Sequence, residues 1–226
     1  MEIFLKLASS YAWEIDYLII LVAILGGFWL FLSLGIIFWF CWKFRRSANP
    51  TAQYITGEKK HETKWISWPH YAVLVCDVVI IIFAIKVWYG IKQYRPPADD
   101  TIRAVGHQWA WRFVHSGPDG KLDTADDIET IDELHVVVGK TYHVKLSSAD
   151  VLHSFSVPVF RLKQDAIPGR EVTAWFKPIK TGEWDVQCTE ICGIGHGIMG
   201  ARIKVETEEE YQAWLATKKP IGTTGA

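Results

Sequence analysis

Two long apolar runs dominate the first ninety residues, and a different rhythm follows. Tyr17 to Trp42 is an almost unbroken series of Leu, Ile, Val, Phe and Trp. Its 26 residues, at about 1.5 Å of rise each, exceed a hydrocarbon core of about 30 Å, which predicts a tilted membrane-spanning helix. A cleaved secretory leader would have a basic start, a shorter apolar run and a small-x-small cleavage site. This segment shows none of them, so the helix is expected to be retained. Tyr71 to Tyr89, rich in Val and Ile and closed by Trp88 and Tyr89, predicts a second span ending in an aromatic belt. Lys86, near its outer end, can snorkel to the interface. Asp77 lies deeper, where a carboxylate is costly and implies a polar site on a partner.

After Arg95-Pro96-Pro97, a stiff linker that ends the helix, short β-rich runs alternate with Gly, Pro and Asp. Strands are predicted at Ile102 to Gly106, Trp109 to Val114, Glu133 to Val138, Tyr142 to Ser147, Ser154 to Val157, Glu171 to Phe176, Glu183 to Gln187 and Ala201 to Val205. So many short strands in one segment predict a β-sandwich. Glu206 to Leu215 predicts a terminal helix with Trp214 packed on the domain, followed by a disordered tail from Pro220. The expected organisation is a hairpin over 1–97 with a loop at 43–67, a β-domain over 98–206, and a helix and tail over 207–226.

Charge orients these parts. From Ala98 onward there are 19 acidic and 14 basic residues, a balance of −5; residues 1 to 97 hold 6 and 10, a balance of +4. Lys43, Arg45, Arg46, Lys59, Lys60 and Lys64 fall between the spans, while the N-terminal flank carries Glu2, Glu14 and Asp16 against Lys6. The positive-inside bias therefore places the loop in the cytoplasm and both termini and the β-domain on the outer face. Of the four cysteines, Cys41 and Cys76 lie in the apolar runs, where a thiol behaves as a small hydrophobe.

The other two begin the most chemically loaded stretch, Cys188-Thr-Glu-Ile-Cys192-Gly-Ile-Gly-His196-Gly-Ile-Met199. Thiolate, imidazole and thioether together suit copper. A single blue-copper ion would use one Cys and two His, so the second thiolate needs its own explanation, and two bridged copper ions supply one. Each metal then needs an imidazole, and His153 in Asp150-Val-Leu-His153-Ser-Phe is the best second candidate. A Cys2His2 zinc site or a disulfide would use the same thiols, although zinc has no use for Met199 and a disulfide none for the histidines.

The set Cys188-x-Glu190-x-Cys192-x3-His196-x2-Met199, with the upstream Asp-Val-Leu-His153-Ser, resembles the dinuclear CuA centre of cytochrome c oxidase subunit II. Gly106-His-Gln-Trp109-Ala-Trp111 and Leu162-Lys-Gln-Asp165-Ala-Ile-Pro-Gly-Arg170 are also similar to family motifs, so the likeness covers nearly the whole chain. The resemblance implies a membrane-anchored α+β chain whose β-domain is a cupredoxin-like Greek-key barrel. In it, two adjacent strands hold the copper loop, and a separate loop at the same end supplies His153. It also implies that Cys188 and Cys192 bridge two copper ions, that His153 and His196 bind one each, and that Met199 and the Glu190 carbonyl are weak ligands. The Glu190 carboxylate would help bind magnesium at a subunit interface.

By the same resemblance, Trp109 is the aromatic through which electrons arrive, and Asp150 and Asp165 are acidic docking residues for a basic cytochrome c. Glu62, in Glu62-Thr-Lys-Trp65, is similar to a segment at the cytoplasmic mouth of a proton pathway. The implied partners are a catalytic haem-copper subunit I, other oxidase subunits and the membrane, with no role for nucleic acid. The implied location is a respiratory membrane, as in the bacterial inner membrane. No Cys-x-x-Cys-His occurs, so no c-type haem is expected on this chain. A CuA-bearing subunit of a nitric oxide reductase and a copper-free scaffold of a quinol oxidase are the competing functions; the intact ligand set argues against the second. The acidic insertion from Ser116 to Asp127 misses the EF-hand order and is expected to be a solvated hairpin. His107, His115, His135 and His143 are expected to be surface or strand residues.

Overall fold

The computed structural model describes residues 6–51 and 54–223; Glu2 of the N-terminal flank and the last three residues of the tail lie outside the described residues. The chain divides into two compact units. Glu14–Gln93 form one, and the described parts of Met1–Trp13 and Tyr94–Ala226 form the other.

The helical unit contains α1 (Ala12–Lys43) and α2 (Lys60–Trp88), the latter continued by a π-helical turn at Tyr89–Gln93. Both helices are long and apolar enough to cross a membrane, and the most apolar window of each is unburied by the rest of the chain. Trp29 on α1 places its Nε1 3.5 Å from Sγ of Cys76 on α2. The second helix begins well before the apolar run, so the connecting loop is 44–59 rather than 43–67 and Glu62 belongs to the first helical turn. A carboxylate is favoured there by the positive end of the helix dipole, and it also accepts a hydrogen bond from the Gly57 amide at 3.1 Å.

The second unit is a sandwich of two five-stranded sheets, as the strand pattern predicts. The strands are β1 (Asp100–His107), β2 (Ala110–His115), β3 (Ile128–Ile131), β4 (Glu133–Val137), β5 (Tyr142–Ser148), β6 (His153–Val157), β7 (Leu162–Ala166), β8 (Val172–Phe176), β9 (Gly182–Cys188) and β10 (Gly200–Glu206). One sheet runs β3-β2-β1-β5-β8 and the other β4-β10-β9-β6-β7. The β1–β5 and β4–β10 pairs are parallel and the remaining pairs antiparallel. Inward strand positions supply a core of Trp111, Phe113, Leu146, Phe155, Phe176 and Ile203, joined by Phe160 from the turn after β6. The two strands absent from the sequence reading, β3 and β7, each lie at the edge of a sheet. Edge strands tolerate polar side chains, and Leu-Lys-Gln-Asp-Ala has no apolar rhythm to find.

Residues ahead of α1 join this unit rather than the hairpin. Ala8 N donates to Val159 O at 3.0 Å, Ile179 N to Ala8 O at 2.9 Å, and Ser10 N to Lys177 O at 3.0 Å. The Ser9 hydroxyl donates to Phe160 O at 2.9 Å, and Tyr11 donates to Trp175 O at 3.1 Å while meeting the Trp175 ring edge-on. At the other end of the chain, α3 (Glu208–Ala216) starts with a reciprocal capping box between Thr207 and Glu210. Its Trp214 stacks on His135, ring centres 4.0 Å apart, and meets the edge of His115 at 5.1 Å. These histidines sit on strands, as expected, but both are buried. The tail also departs from expectation: Ile221 N and Gly222 N donate to Asp127 O and Ala125 O, tying it to the acidic insertion.

Candidate metal centre

Three strands converge on the ligand stretch. Antiparallel β9 and β10 are neighbours, with Gly200 opposite Gln187, so the segment from Thr189 to Met199 is the connection between adjacent strands. On its other side β9 pairs with β6, placing Phe155 opposite Cys188. His153 therefore opens β6 as a strand residue, rather than coming from a separate loop, and shares the inward face of Phe155 by the two-residue strand period. The Thr189 amide donates to Ser154 O at 3.0 Å and the Cys188 amide to Met199 O at 3.2 Å, closing the base of the loop.

The donor atoms form a chain. Cys188 Sγ lies 3.9 Å from His153 Nδ1, 3.8 Å from Cys192 Sγ and 3.3 Å from the Glu190 carbonyl oxygen. Cys192 Sγ lies 3.7 Å from both His196 Nδ1 and Met199 Sδ. Each thiol thus faces one imidazole nitrogen and one weaker donor. The sulfurs are far beyond the roughly 2 Å of a disulfide, and both cysteines are free. Burial, and then the neighbouring Cys188, push the Cys192 thiol up to about 11, so a bound cation must displace its proton. Two bridgeable thiols with an imidazole for each fit a pair of soft metal ions, and the thioether beside Cys192 fits copper better than zinc.

The segment from Gly106 to Trp111 supports this centre from below and from the side. A Cβ on Gly106 would stand 2.9 Å from Cδ2 of His153, so glycine makes room for the ring. Trp111 is fully buried beneath, 6.1 Å from the His153 ring centre. Gln108, which sequence reasoning passed over, donates from its side chain to Cys192 O and from its backbone to Asp150 Oδ2, both at 2.7 Å. Trp109, in the turn just ahead of β2, lies against the ligand loop and is 36 % exposed. A Cβ on Gly195 would meet its Cδ2 at 2.3 Å, so only glycine lets the indole lie there.

Asp150, expected as a docking residue, is exposed and also bonds within the site. Its Oδ1 is 2.8 Å from His153 Nε2 and also accepts from the Val151 amide, while Oδ2 accepts from Gln108. Burial works to raise this carboxyl, but the bonds with His153 and the two amides outweigh it and hold it at about 2. Oδ1 thus holds the imidazole so that Nδ1 faces sulfur, while the carboxylate stays partly open to solvent. Asp165 is half-buried on β7, opposite Ser154. Glu62 belongs to the helical unit and is not part of this centre. In the acidic insertion the carboxylates serve the loop itself: Asp119 and Asp127 accept from backbone amides, and Asp123 forms a two-pronged pair with Arg103.

Comparison with known proteins gives a consistent picture. The family described as cytochrome C oxidase subunit II, periplasmic domain, matches residues 100–206. An alternative cytochrome c oxidase subunit 2 from Bradyrhizobium diazoefficiens is 35% identical over 200 residues, covering 78% of this chain and 70% of the relative. A cytochrome c oxidase subunit 2 from Cereibacter sphaeroides is 30% identical over 238 aligned positions, covering 92% of this chain and 76% of the relative. The crystal structure of the periplasmic domain of subunit II of cytochrome oxidase from Bradyrhizobium japonicum is similar at 36% identity and a TM-score of 0.49, covering 54% of this chain and 94% of that one.

Proposed function

Because the chain belongs to the cytochrome c oxidase subunit II family, we propose that it is the subunit that receives single electrons from cytochrome c and delivers them to haem in a catalytic membrane subunit, where oxygen is reduced. The observation that carries this reading is the alternation of His153, Cys188, Cys192 and His196, each imidazole Nδ1 facing a sulfur. Those four side chains would hold two copper ions, with Met199 and the Glu190 carbonyl as weak outer donors. Bound there, copper would supply one-electron storage.

The chain's own residues provide rigidity and access. Asp150 and Gln108 fix the orientation of His153 and the carbonyl of Cys192, so the donors move little when the charge on the site changes. Met199, Cys188 and Cys192 are buried, which keeps water from the sulfurs. Trp109 is exposed on one side and lies against Gly195 on the other, and Gly195 precedes His196. This makes it the natural contact for a docked electron donor. Asp150 and Asp165 are the acidic docking candidates, and Glu190 the candidate for magnesium. For Glu62, proton uptake competes with its structural service to Gly57. The hydrogen bonds from residues 8–11 to the β-unit support a topology with the N-terminus on the outer face.

The test is copper loading of the full chain in detergent. A dinuclear centre gives a purple protein whose paramagnetic signal shows one electron shared by two coppers. A signal from one isolated Cu(II), or a chain that retains only zinc, overturns the reading.

A further inference from the structure

The end of the hairpin that carries the connecting loop gathers charge that the chain does not neutralise. From Lys43 to Lys64 the sequence holds the cations Lys43, Arg45, Arg46, Lys59, Lys60 and Lys64 against Glu58 and Glu62. All six cations are exposed, and among the described residues none of them pairs with a carboxylate. Glu62 accepts from the Gly57 amide and lies 4.0 Å from His61.

One contact sets the level of these charges. Trp29 on α1 and Cys76 on α2 lie side by side, Nε1 and Sγ 3.5 Å apart. Toward one end of the hairpin, Tyr17 and Trp88 each stand twelve residues away, about 18 Å along their helices. Toward the other, Trp42 and Trp65 stand about 20 and 17 Å away. Such aromatic residues mark the two borders of a bilayer, so the Trp29–Cys76 contact sits near its middle. Lys43 and Lys64 then lie about 21 and 18 Å from that middle. The hydrocarbon ends at about 15 Å and the headgroups at about 20–22 Å, which puts these cations among lipid phosphates rather than in free water.

The cations at the end of α1 are also held in shape. Lys43 Nζ lies 4.4 Å over the Trp39 ring and 5.5 Å over that of Phe44. Arg45 folds back 5.4 Å over Trp42, donating from Nη1 to the Trp42 carbonyl at 2.7 Å and from Nε to Ser47 Oγ at 3.1 Å. A guanidinium has five N–H donors, so three remain for a ligand. Trp39, Trp42 and Phe44 are exposed as well, offering apolar surface next to the charges. We propose that the end of α1 binds an anionic phospholipid, with Lys43, Arg45 and Arg46 on its phosphodiester and Trp39 and Trp42 against the upper part of its acyl chains. Lys59, Lys60 and Lys64 add to the attraction from α2 without needing to touch the lipid. A phosphodiester offers two acceptor oxygens and a full charge, which suit the paired donors of arginine, whereas a zwitterionic headgroup brings its own competing cation. The site requires that both helices span the bilayer, and it is independent of the copper reading.

The test uses the full chain in neutral detergent, with phosphatidylglycerol or phosphatidylcholine added and the bound lipid counted by native mass spectrometry. Phosphatidylglycerol should be retained and phosphatidylcholine lost. Arg45→Gln combined with Arg46→Gln should weaken retention by roughly tenfold or more, since each cation near an anionic surface is worth about a factor of five. Arg45→Lys with Arg46→Lys keeps the charge and should lose less. Equal retention of the two lipids, or unchanged retention in the glutamine variant, overturns the proposal. Displacement of the lipid by an equal concentration of inorganic phosphate also overturns it, assigning the site to a soluble anion. A phosphatidylglycerol with a photo-reactive acyl chain, added to the unaltered chain, should mark residues 39–46 even if the glutamine variant folds poorly. Marks confined to the neighbourhood of Tyr17 and Trp88 would place the lipid at the opposite border and sink the assignment. Failure of the spanning itself would show separately, as protease cleavage within α1 or α2 in reconstituted vesicles.

Discussion

Of the six histidines in the β-unit, two pairs invite comparison, and burial does not distinguish their roles. His153 is as deeply buried as His115 and His135. His153 and His196 turn Nδ1 toward sulfur. His135 instead stacks flat on Trp214 with Nδ1 2.8 Å from Glu206, and His115 sits edge-on to the same indole with Nε2 3.3 Å from the Thr130 hydroxyl. That hydroxyl donates to Glu133 O, so it accepts from His115 and fixes a neutral Nε2–H tautomer. What a ring nitrogen faces, rather than how dry it is, separates a metal ligand from a packing residue.

The comparison breaks most completely at the sulfurs. Cys188→Ser or Cys192→Ser should abolish the shared-electron signal and leave single-copper or metal-free protein, whereas His135→Phe should leave the copper spectrum unchanged. Retention of the dinuclear signal in either serine variant would show that the thiols do not bridge. Next in size, Asp150→Ala should weaken copper retention by roughly 10–100-fold, the usual loss when a ligand histidine is deprived of its carboxylate. Competition with a chelator measures it. An unchanged affinity together with an altered salt dependence of cytochrome c oxidation would leave Asp150 with docking alone. Gln108→Leu should act in the same direction and more weakly, because the Asp150–His153 bond survives.

On the packing side the expected effects are on stability. Burial holds His115 down at about 3, well below its ordinary value. The unfolded chain binds that proton from about pH 6.5 downward and the folded one does not, so stability is full above pH 6.5 and is lost as pH falls toward 3. Between pH 6.5 and 5 the loss is about 2 kcal/mol, readable as a falling melting temperature that His115→Phe should flatten. An equal slope in the variant would assign the acid sensitivity elsewhere. Smallest of all, Thr207→Ala removes the cap of α3 and should cost about 1 kcal/mol in thermal unfolding with no change at copper.

Much of this was legible in the sequence. The ligand stretch is contiguous, and alternation in β1, β2, β5 and β8 to β10 reports their single buried faces. Edge strands β3 and β7 escaped because one neighbour and mixed polarity leave no periodic trace. Gln108 and Gly195 escaped for another reason: their importance lies in contacts with residues 84 and 86 positions away in the chain, Cys192 and Trp109 respectively. Asp150 was visible as a charge, but the direction of its oxygens belongs to the fold. The same applies to His115 and His135, whose partner Trp214 comes from the end of the chain.

The bonds from residues 8–11 to the β-unit have a consequence in time. These residues are synthesised early, yet their partners Val159, Phe160, Trp175, Lys177 and Ile179 come some 150 to 170 residues later, after both membrane helices. In the proposed two-span topology, the part of the domain that residues 8–11 cover must wait, open, until the chain has crossed the membrane twice and returned the rest of the domain to the same side. Contacts of such long sequence separation form late. Under that proposed topology the N-terminal segment works as a closing seam, and the domain is complete only when the hairpin has been threaded with the correct number of crossings.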